Sequence, residues 1–193
     1  MILLLIPNED QRGLFDMSEI FETFYQSLEH EKGQLLDLGC GAGEPIPGLF
    51  IDHGWNVTGV DFSRRMLEMA HKFVPEMKTI LSDMRDVDFA PGSFDAVTMI
   101  YSLFHTPKKD HVTLFRNWLR PGGKVLFTYA TEKYTGSPEF DGYKEFLGQK
   151  LFYSHTTPEK LYYELEMSGF TIESAVYRDI GHEIFLWITA IAR

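Results

Sequence analysis

A chain of 193 residues, 44% apolar and 24% charged, has the size and composition of one globular domain with a full core, which excludes intrinsic disorder. Its formal charge of −10 disfavours broad contact with phosphate backbones, so nucleic acid is not an expected partner. The single cysteine, Cys40, excludes an intrachain disulfide and a thiolate zinc site, so a reducing, cytoplasmic setting and no metal are expected.

In chain order, residues 1–6 form an apolar run without a basic flank that ends at Pro7. The run is too short for a signal peptide or a membrane span, and reads as a terminal arm or small strand. No other apolar stretch reaches membrane length, so no membrane partner is expected. Leu14, Met17, Phe21, Phe24 and Leu28 fall at alternating spacings of three and four, one stripe of a helix. Residues 34–38 read as a buried strand, 56–60 as a second, and 63–73 as a helix capped by Ser63. Residues 78–82 and 94–100 read as further strands. Residues 111–119 predict a helix with Leu114, Phe115, Trp118 and Leu119 on one face. Pro121, Gly122 and Gly123 predict a turn, and 124–129 a strand. This alternation predicts βαβ units, hence a parallel sheet with helices on both faces.

The tail is different. Residues 158–167 predict a helix with Thr156 or Thr157 at its N-cap, Pro158 in the first turn and Gly169 past the end. Strands at 170–177 and 184–192 have only a short link between them and must pair antiparallel. Before them, residues 130–156 are too long for a plain connection and rich in aromatics, among them Tyr134, Phe140, Tyr143, Phe146, Phe152 and Tyr153. Ser137, Pro138 and Glu139 predict the cap of a short helix carrying Phe140, Tyr143 and Leu147. The segment reads as a lid or binding loop, the alternative being a cover for a sheet edge. The chain is thus expected to form one domain over 1–193, with an N-terminal arm and helix over 1–32 and a lid-like insertion over 130–156.

The most informative stretch is LLDLGCGAG at 35–43, where Gly39, Gly41 and Gly43 follow a buried strand and precede a helix with Pro45 and Pro47 near its start. Glycine lets a ligand approach the backbone, and the helix start offers unpaired N–H groups. Asp61 follows the second strand, where ligands of such sheets bind, and can accept both hydroxyls of a ribose. The competing role for Asp61 is to cap the next helix. A dinucleotide fingerprint would want a small residue where Glu44 stands, and its pyrophosphate would be repelled by Asp37. A carboxylate at Asp37 suits a cationic ligand such as S-adenosylmethionine, which carries an ammonium and a sulfonium.

Together with VDFS at 60–63, SDM at 82–84, FDAV at 94–97 and LRPGGK at 119–124, the stretch resembles the class I S-adenosylmethionine-dependent methyltransferases over roughly residues 33–193. The resemblance implies a Rossmann-like three-layer α/β sandwich with a seven-stranded, mostly parallel sheet in the order 3-2-1-4-5-7-6, strand seven antiparallel. It places Gly39, Gly41 and Gly43 around the methionine portion of the cofactor, with Asp37 near its amino group and Cys40 among the cofactor-binding candidates. Asp61 would hold the ribose, Phe62 would pack on the adenine, Asp83 with the Met84 backbone would read its edge, and Met66 is a further cofactor-binding candidate. Ile100 and Tyr101 would close the amino end. Asp83 could instead be an ordinary turn aspartate, and Phe62 and Met84 core residues.

Methyl transfer is an in-line displacement that rests on positioning and needs a base only if the acceptor must lose a proton. His105, in YSLFHTP at 101–107, and His155 are the candidates for such a group, with positioning favoured over proton abstraction for His105. His30, His53, His71, His111 and His182 are expected at the surface. The amide-methylating signature of the nucleic-acid enzymes is absent after the fourth strand. A methyltransferase acting on a small molecule is therefore expected, the alternatives being a non-catalytic S-adenosylmethionine-binding protein and a nucleotide-dependent oxidoreductase. Neither the acceptor atom nor the oligomeric state is specified by the sequence.

Overall fold

The structure, a computed structural model, describes residues 16–146 and 148–193. Residues 1–6, Leu14 and Leu147 therefore lie outside the described residues. The first half holds α1 (Ser18–Gln26), β1 (Gln34–Leu38), α2 (Ile46–Asp52), β2 (Asn56–Asp61), α3 (Arg64–Phe73), β3 (Lys78–Leu81) and β4 (Phe94–Met99). After these come α4 (Thr113–Arg116), β5 (Leu119–Tyr129), α5 (Glu132–Thr135), β6 (Phe140–Phe146) and β7 (Gln149–His155). The chain closes with α6 (Pro158–Met167), β8 (Phe170–Ile180) and β9 (Glu183–Ala192).

Seven strands form one sheet in the order β3-β2-β1-β4-β5-β9-β8, the order the family resemblance implies. The first five are parallel, and β9 runs antiparallel to both β5 and β8. β4 is buried along its whole length because helices cover both faces. Alternation along the strands sorts the core into two layers. Leu36, Leu38, Val97 and Met99 pack with Phe115 of α4 and with Leu161 and Leu165 of α6. Leu35 and Ala96 face the other way, toward Phe21 and Phe24 of α1, Phe50 of α2 and Leu67 of α3. Helix starts follow local chemistry: Ser63 accepts from Met66 N at 3.4 Å to cap α3, and Thr157 accepts from Lys160 N at 3.4 Å to cap α6. Among the described residues no helix is long and apolar enough to cross a membrane.

Four local expectations are corrected. The helix predicted over 111–119 shrinks to the single turn of α4, preceded by a 3₁₀ turn at Lys108–Asp110, because Leu119 is already paired with Phe94 in the sheet. The Pro121-Gly122-Gly123 turn lies inside β5 as an irregularity, the register jumping from Phe94–Leu119 to Ala96–Lys124. The helix predicted from Ser137 is replaced by the one-turn α5, closed by Gly136 at φ 79°, and by the β6–β7 hairpin. Cross-strand pairing explains the replacement: Tyr143 opposes Phe152 with ring centroids 5.7 Å apart. Finally, His111 is buried, with Nε2 donating to Thr106 O at 2.9 Å and its ring edge-on to Tyr129.

The hairpin does not join the large sheet but docks on the loop after β4. Tyr153 stacks on Phe104 at 5.4 Å, and Phe104 on Phe185 at 5.1 Å. Ser154 Oγ donates to Thr106 O at 2.7 Å.

Gly59 ties β2 to the loop beyond β1. A Cβ at this position would lie 2.7 Å from both Cys40 Sγ and Met77 Sδ. Gly59→Ala should lower stability by about 1–3 kcal/mol through overpacking, read as a lower urea midpoint at unchanged slope. An unchanged midpoint would mean that Cys40 and Met77 are not held against the strand.

Candidate active site

The glycine loop leaves β1 and is pulled back onto β2, with Gly39 N and Cys40 N donating to Val60 O at 2.7 and 3.1 Å. Its three glycines serve different ends. At Gly39 a Cβ would come within 2.4 Å of the Ser102 Cβ, so the close approach of two backbones requires glycine. At Gly41, φ is 54° and the nearest atom to a Cβ would be Met66 Cε at 3.9 Å, so a side chain would stand in open space over the site. At Gly43 a Cβ would press on Val74 and Met77, which makes it a packing residue between loop and helix. Pro47 occupies the first turn of α2, where its missing N–H leaves no acceptor unserved.

Two carboxylates stand at the ends of β1 and β2. Asp37 is buried and accepts from Thr98 Oγ1 at 2.7 Å. Burial pushes its pKa up to about 7, the Thr98 hydroxyl opposing and the nearby Asp61 charge adding to the rise. Asp61 accepts Ser63 N at 2.8 Å and Gly41 N at 3.0 Å, so it clamps the glycine loop while Ser63 caps the helix. The Cys40 thiol is buried beside both acids, and its pKa is raised by burial and by their charges.

The loop after β4 makes the facing wall. Tyr101 takes φ 54°, uncommon for a bulky residue, and donates its N–H to Thr128 Oγ1 at 2.6 Å. Ser102 Oγ donates to Leu38 O at 2.6 Å, locking this loop to β1. His105 Nδ1 lies 2.7 Å from Phe152 O, and since a carbonyl can only accept, Nδ1 carries the proton. Burial drives the His105 pKa down to about 4, so the ring is neutral near neutral pH.

These walls enclose a cavity of about 650 Å³. Of the predicted site residues, Asp37, Gly39, Cys40, Gly41, Asp61 and Phe62 line it. So do Met66, Met84, Ile100, Tyr101 and His105. Phe62 is 70% exposed, which rules out a core role. Gly43, Asp83 and His155 do not line it. Asp83 is turned to Arg85, which donates Nε to Oδ1 at 3.0 Å and Nη2 to Oδ2 at 2.6 Å and holds the carboxyl below its usual range. His155 is enclosed, with Nδ1 3.2 Å from Thr156 O and Nε2 2.7 Å from Thr135 Oγ1, and burial lowers its pKa.

The sequence reading missed Thr98, Ser102, Met69 and Phe73. Met66, Met69 and Phe73 line the cavity from α3, while Leu67 and Ala70 face the core. That helix carries two apolar stripes, and the second was a readable signal. The partners Thr98 and Ser102 were not, being 61 and 64 residues from the groups they bind. Among the described residues no group of His, Cys, Asp or Glu is set to hold a metal.

Comparison with known proteins gives a consistent picture. Residues 36–127 match the family model of a methyltransferase domain. The chain is 34% identical over 112 residues to the methyltransferase GfsG of Streptomyces halstedii, covering 54% of this chain and 40% of that one. It is 31% identical over 129 residues to the ubiquinone biosynthesis O-methyltransferase of Dechloromonas aromatica, covering 63% and 55%. The matched part thus spans about half the length of these relatives. An S-adenosylmethionine-dependent methyltransferase structure from Mesorhizobium loti superposes with a TM-score of 0.72 at 20% identity, over 90% of this chain and 96% of that one.

Because the Asp37 pKa is raised on folding from 3.8 to about 7, its contribution favours the folded state at low pH and is lost as pH rises through about 7. Asp37→Asn keeps an acceptor for Thr98 and removes the buried charge. The ligand-free variant should melt above the wild type at about pH 8, with the gain shrinking toward about pH 4. Equal melting temperatures across that range would mean that Asp37 is already neutral or solvated.

Proposed function

We propose that the chain is a class I S-adenosylmethionine-dependent methyltransferase and transfers a methyl group from that cofactor to a small-molecule acceptor, a reading supported by the methyltransferase-domain match over residues 36–127 and by the relatives named above. The observation that carries this reading is the pair of carboxylates, Asp37 and Asp61, at one end of a largely apolar cavity. Among the described lining residues the one permanent cation is Arg65, which is exposed. Such a site favours a cation and disfavours a pyrophosphate. The open space over Gly41 is the kind of backbone surface a bound methionine portion needs. S-adenosylmethionine supplies, when bound, a methyl group activated by the sulfonium.

In this reading Asp37 faces the cofactor's ammonium. Asp61 accepts the ribose hydroxyls, since each of its oxygens takes one backbone N–H and keeps capacity for a second donor. Phe62, Met66 and Met84 flank the adenine, whose edge is left to the Met84 backbone because Asp83 is engaged by Arg85. Gly39, Cys40 and Gly41 bring backbone to the methionine portion, and Ile100 and Tyr101 close its amino end. We assign His105 to positioning the acceptor. Its depressed pKa makes it a weak proton acceptor, and an acceptor arriving with its lone pair available needs no base. The insertion over 130–156 serves as the acceptor-side cover. The single buried cysteine supports a cytoplasmic setting, and the charge of −10 supports a small acceptor over nucleic acid.

Calorimetric titrations with S-adenosylmethionine and with a nicotinamide dinucleotide test the cofactor. Binding of the first alone is expected, and binding of the second alone would overturn the reading. A panel of small acceptors with methyl-labelled cofactor then tests transfer. Asp61→Ala should weaken cofactor binding by about 10- to 150-fold, from roughly 1.5–3 kcal/mol of charge-assisted hydrogen bonding. Gly41→Val should abolish binding while keeping a cooperative thermal transition; normal binding would move the cofactor away from this loop.

A further inference from the structure

Thr128 lies on β5, fully buried, and is not part of the cavity wall. It is nonetheless joined to that wall by a single bond. The ladder between β4 and β5 ends at Met99 and Phe127. Beyond it, the Tyr101 N–H would lose a strand partner, and the Thr128 side chain supplies one at 2.6 Å. At that point Tyr101 turns to φ 54°. A left-handed conformation is costly for a bulky residue and persists where its surroundings over-determine it. Packing contributes: the Tyr101 ring stands edge-on to Phe185 at 5.1 Å and to Trp187 at 5.8 Å. Trp187 is also the cross-strand partner of Thr128.

The turn at Tyr101 determines where Ser102 sits. Ser102 donates to Leu38 O at 2.6 Å, and its Cβ is so close to Gly39 that no side chain fits there. The conformation of Tyr101 is therefore transmitted to the glycine loop by direct contact. Resting on the functional reading above, we propose that Thr128 is a positioning residue for the cofactor site: its hydroxyl holds Tyr101 in the left-handed turn that sets Tyr101 and Ser102 against the glycine loop.

The test compares Thr128→Val, which keeps the branched shape and removes the acceptor, with Thr128→Ser, which keeps the hydroxyl. S-adenosylmethionine affinity is measured by calorimetry well below the melting temperature of each variant. Thr128→Val should weaken binding about tenfold or more, and Thr128→Ser should stay within about threefold of wild type. In a Tyr101→Gly background, where positive φ needs no restraint, Thr128→Val should change affinity by less than about threefold. Should Thr128→Val fail to fold, Thr128→Ala carries the same comparison. Wild-type affinity in Thr128→Val overturns the proposal. Equal losses in the Val and Ser variants, or a loss undiminished in the glycine background, also overturn it by assigning the effect to packing. Failure of the unmodified protein to bind S-adenosylmethionine would instead overturn the functional reading, and this inference with it.

Discussion

A carboxylate held dry at the end of a central strand is the constraint around which this molecule is arranged. Asp37 is buried at the C-terminal end of β1, next to a second acid at the end of β2, and the folded protein raises its proton affinity strongly. Nothing in the core gains from such a charge, since burying it costs free energy that hydrophobic packing must offset. On the proposed reading its value lies in what it attracts. A site with paired acids, apolar walls and a glycine-lined floor is complementary to a cationic nucleotide-like ligand before any ligand arrives. The same feature lowers the stability of the ligand-free protein, a common trade where function needs an uncompensated group.

Precision at such a site comes from side chains that continue the sheet after its backbone ladders stop. Ser102 reaches from the loop after β4 to Leu38, Thr128 from β5 to Tyr101, and Asp61 from β2 to Gly41. Backbone groups at strand ends need partners when buried, and here short hydroxyl and carboxylate side chains provide them. The loops are therefore fixed by the strands they leave. This is why apolar packing on both faces of the sheet, remote from the cavity, still determines the geometry within it.

The parallel sheet was legible in the alternation of buried runs with helical stripes, and its strand order followed from the family resemblance. The glycines at a strand end, with the acid after the second strand, marked the end of the sheet where the cavity lies. It misled where a long-range pairing competed with a local pattern. Leu119 reads as the last helical residue after Leu114 and Phe115 until its pairing with Phe94 removes it from the helix. Phe140 and Tyr143 have helical spacing, but the partner strand at 149–155 turns the segment into a hairpin. His155 and His111 look alike in sequence to a catalytic or surface histidine, and only their enclosure separates them from His105. The Thr98, Ser102 and Thr128 bonds bridge 61, 64 and 27 residues, and no local pattern encodes them.

The β6–β7 hairpin is fastened by an aromatic stack through Tyr153, Phe104 and Phe185 and by hydrogen bonds to the loop after β4, without a ladder to the main sheet. An element attached in this way is a replaceable module. On the proposed reading of the hairpin as the acceptor-side cover, its length and outward residues can drift under selection for a new acceptor while the stack keeps it in register and the glycine loop stays as it is. Divergence of acceptor choice among descendants of this chain would then be concentrated in one short stretch of gene, with the strands on either side evolving slowly.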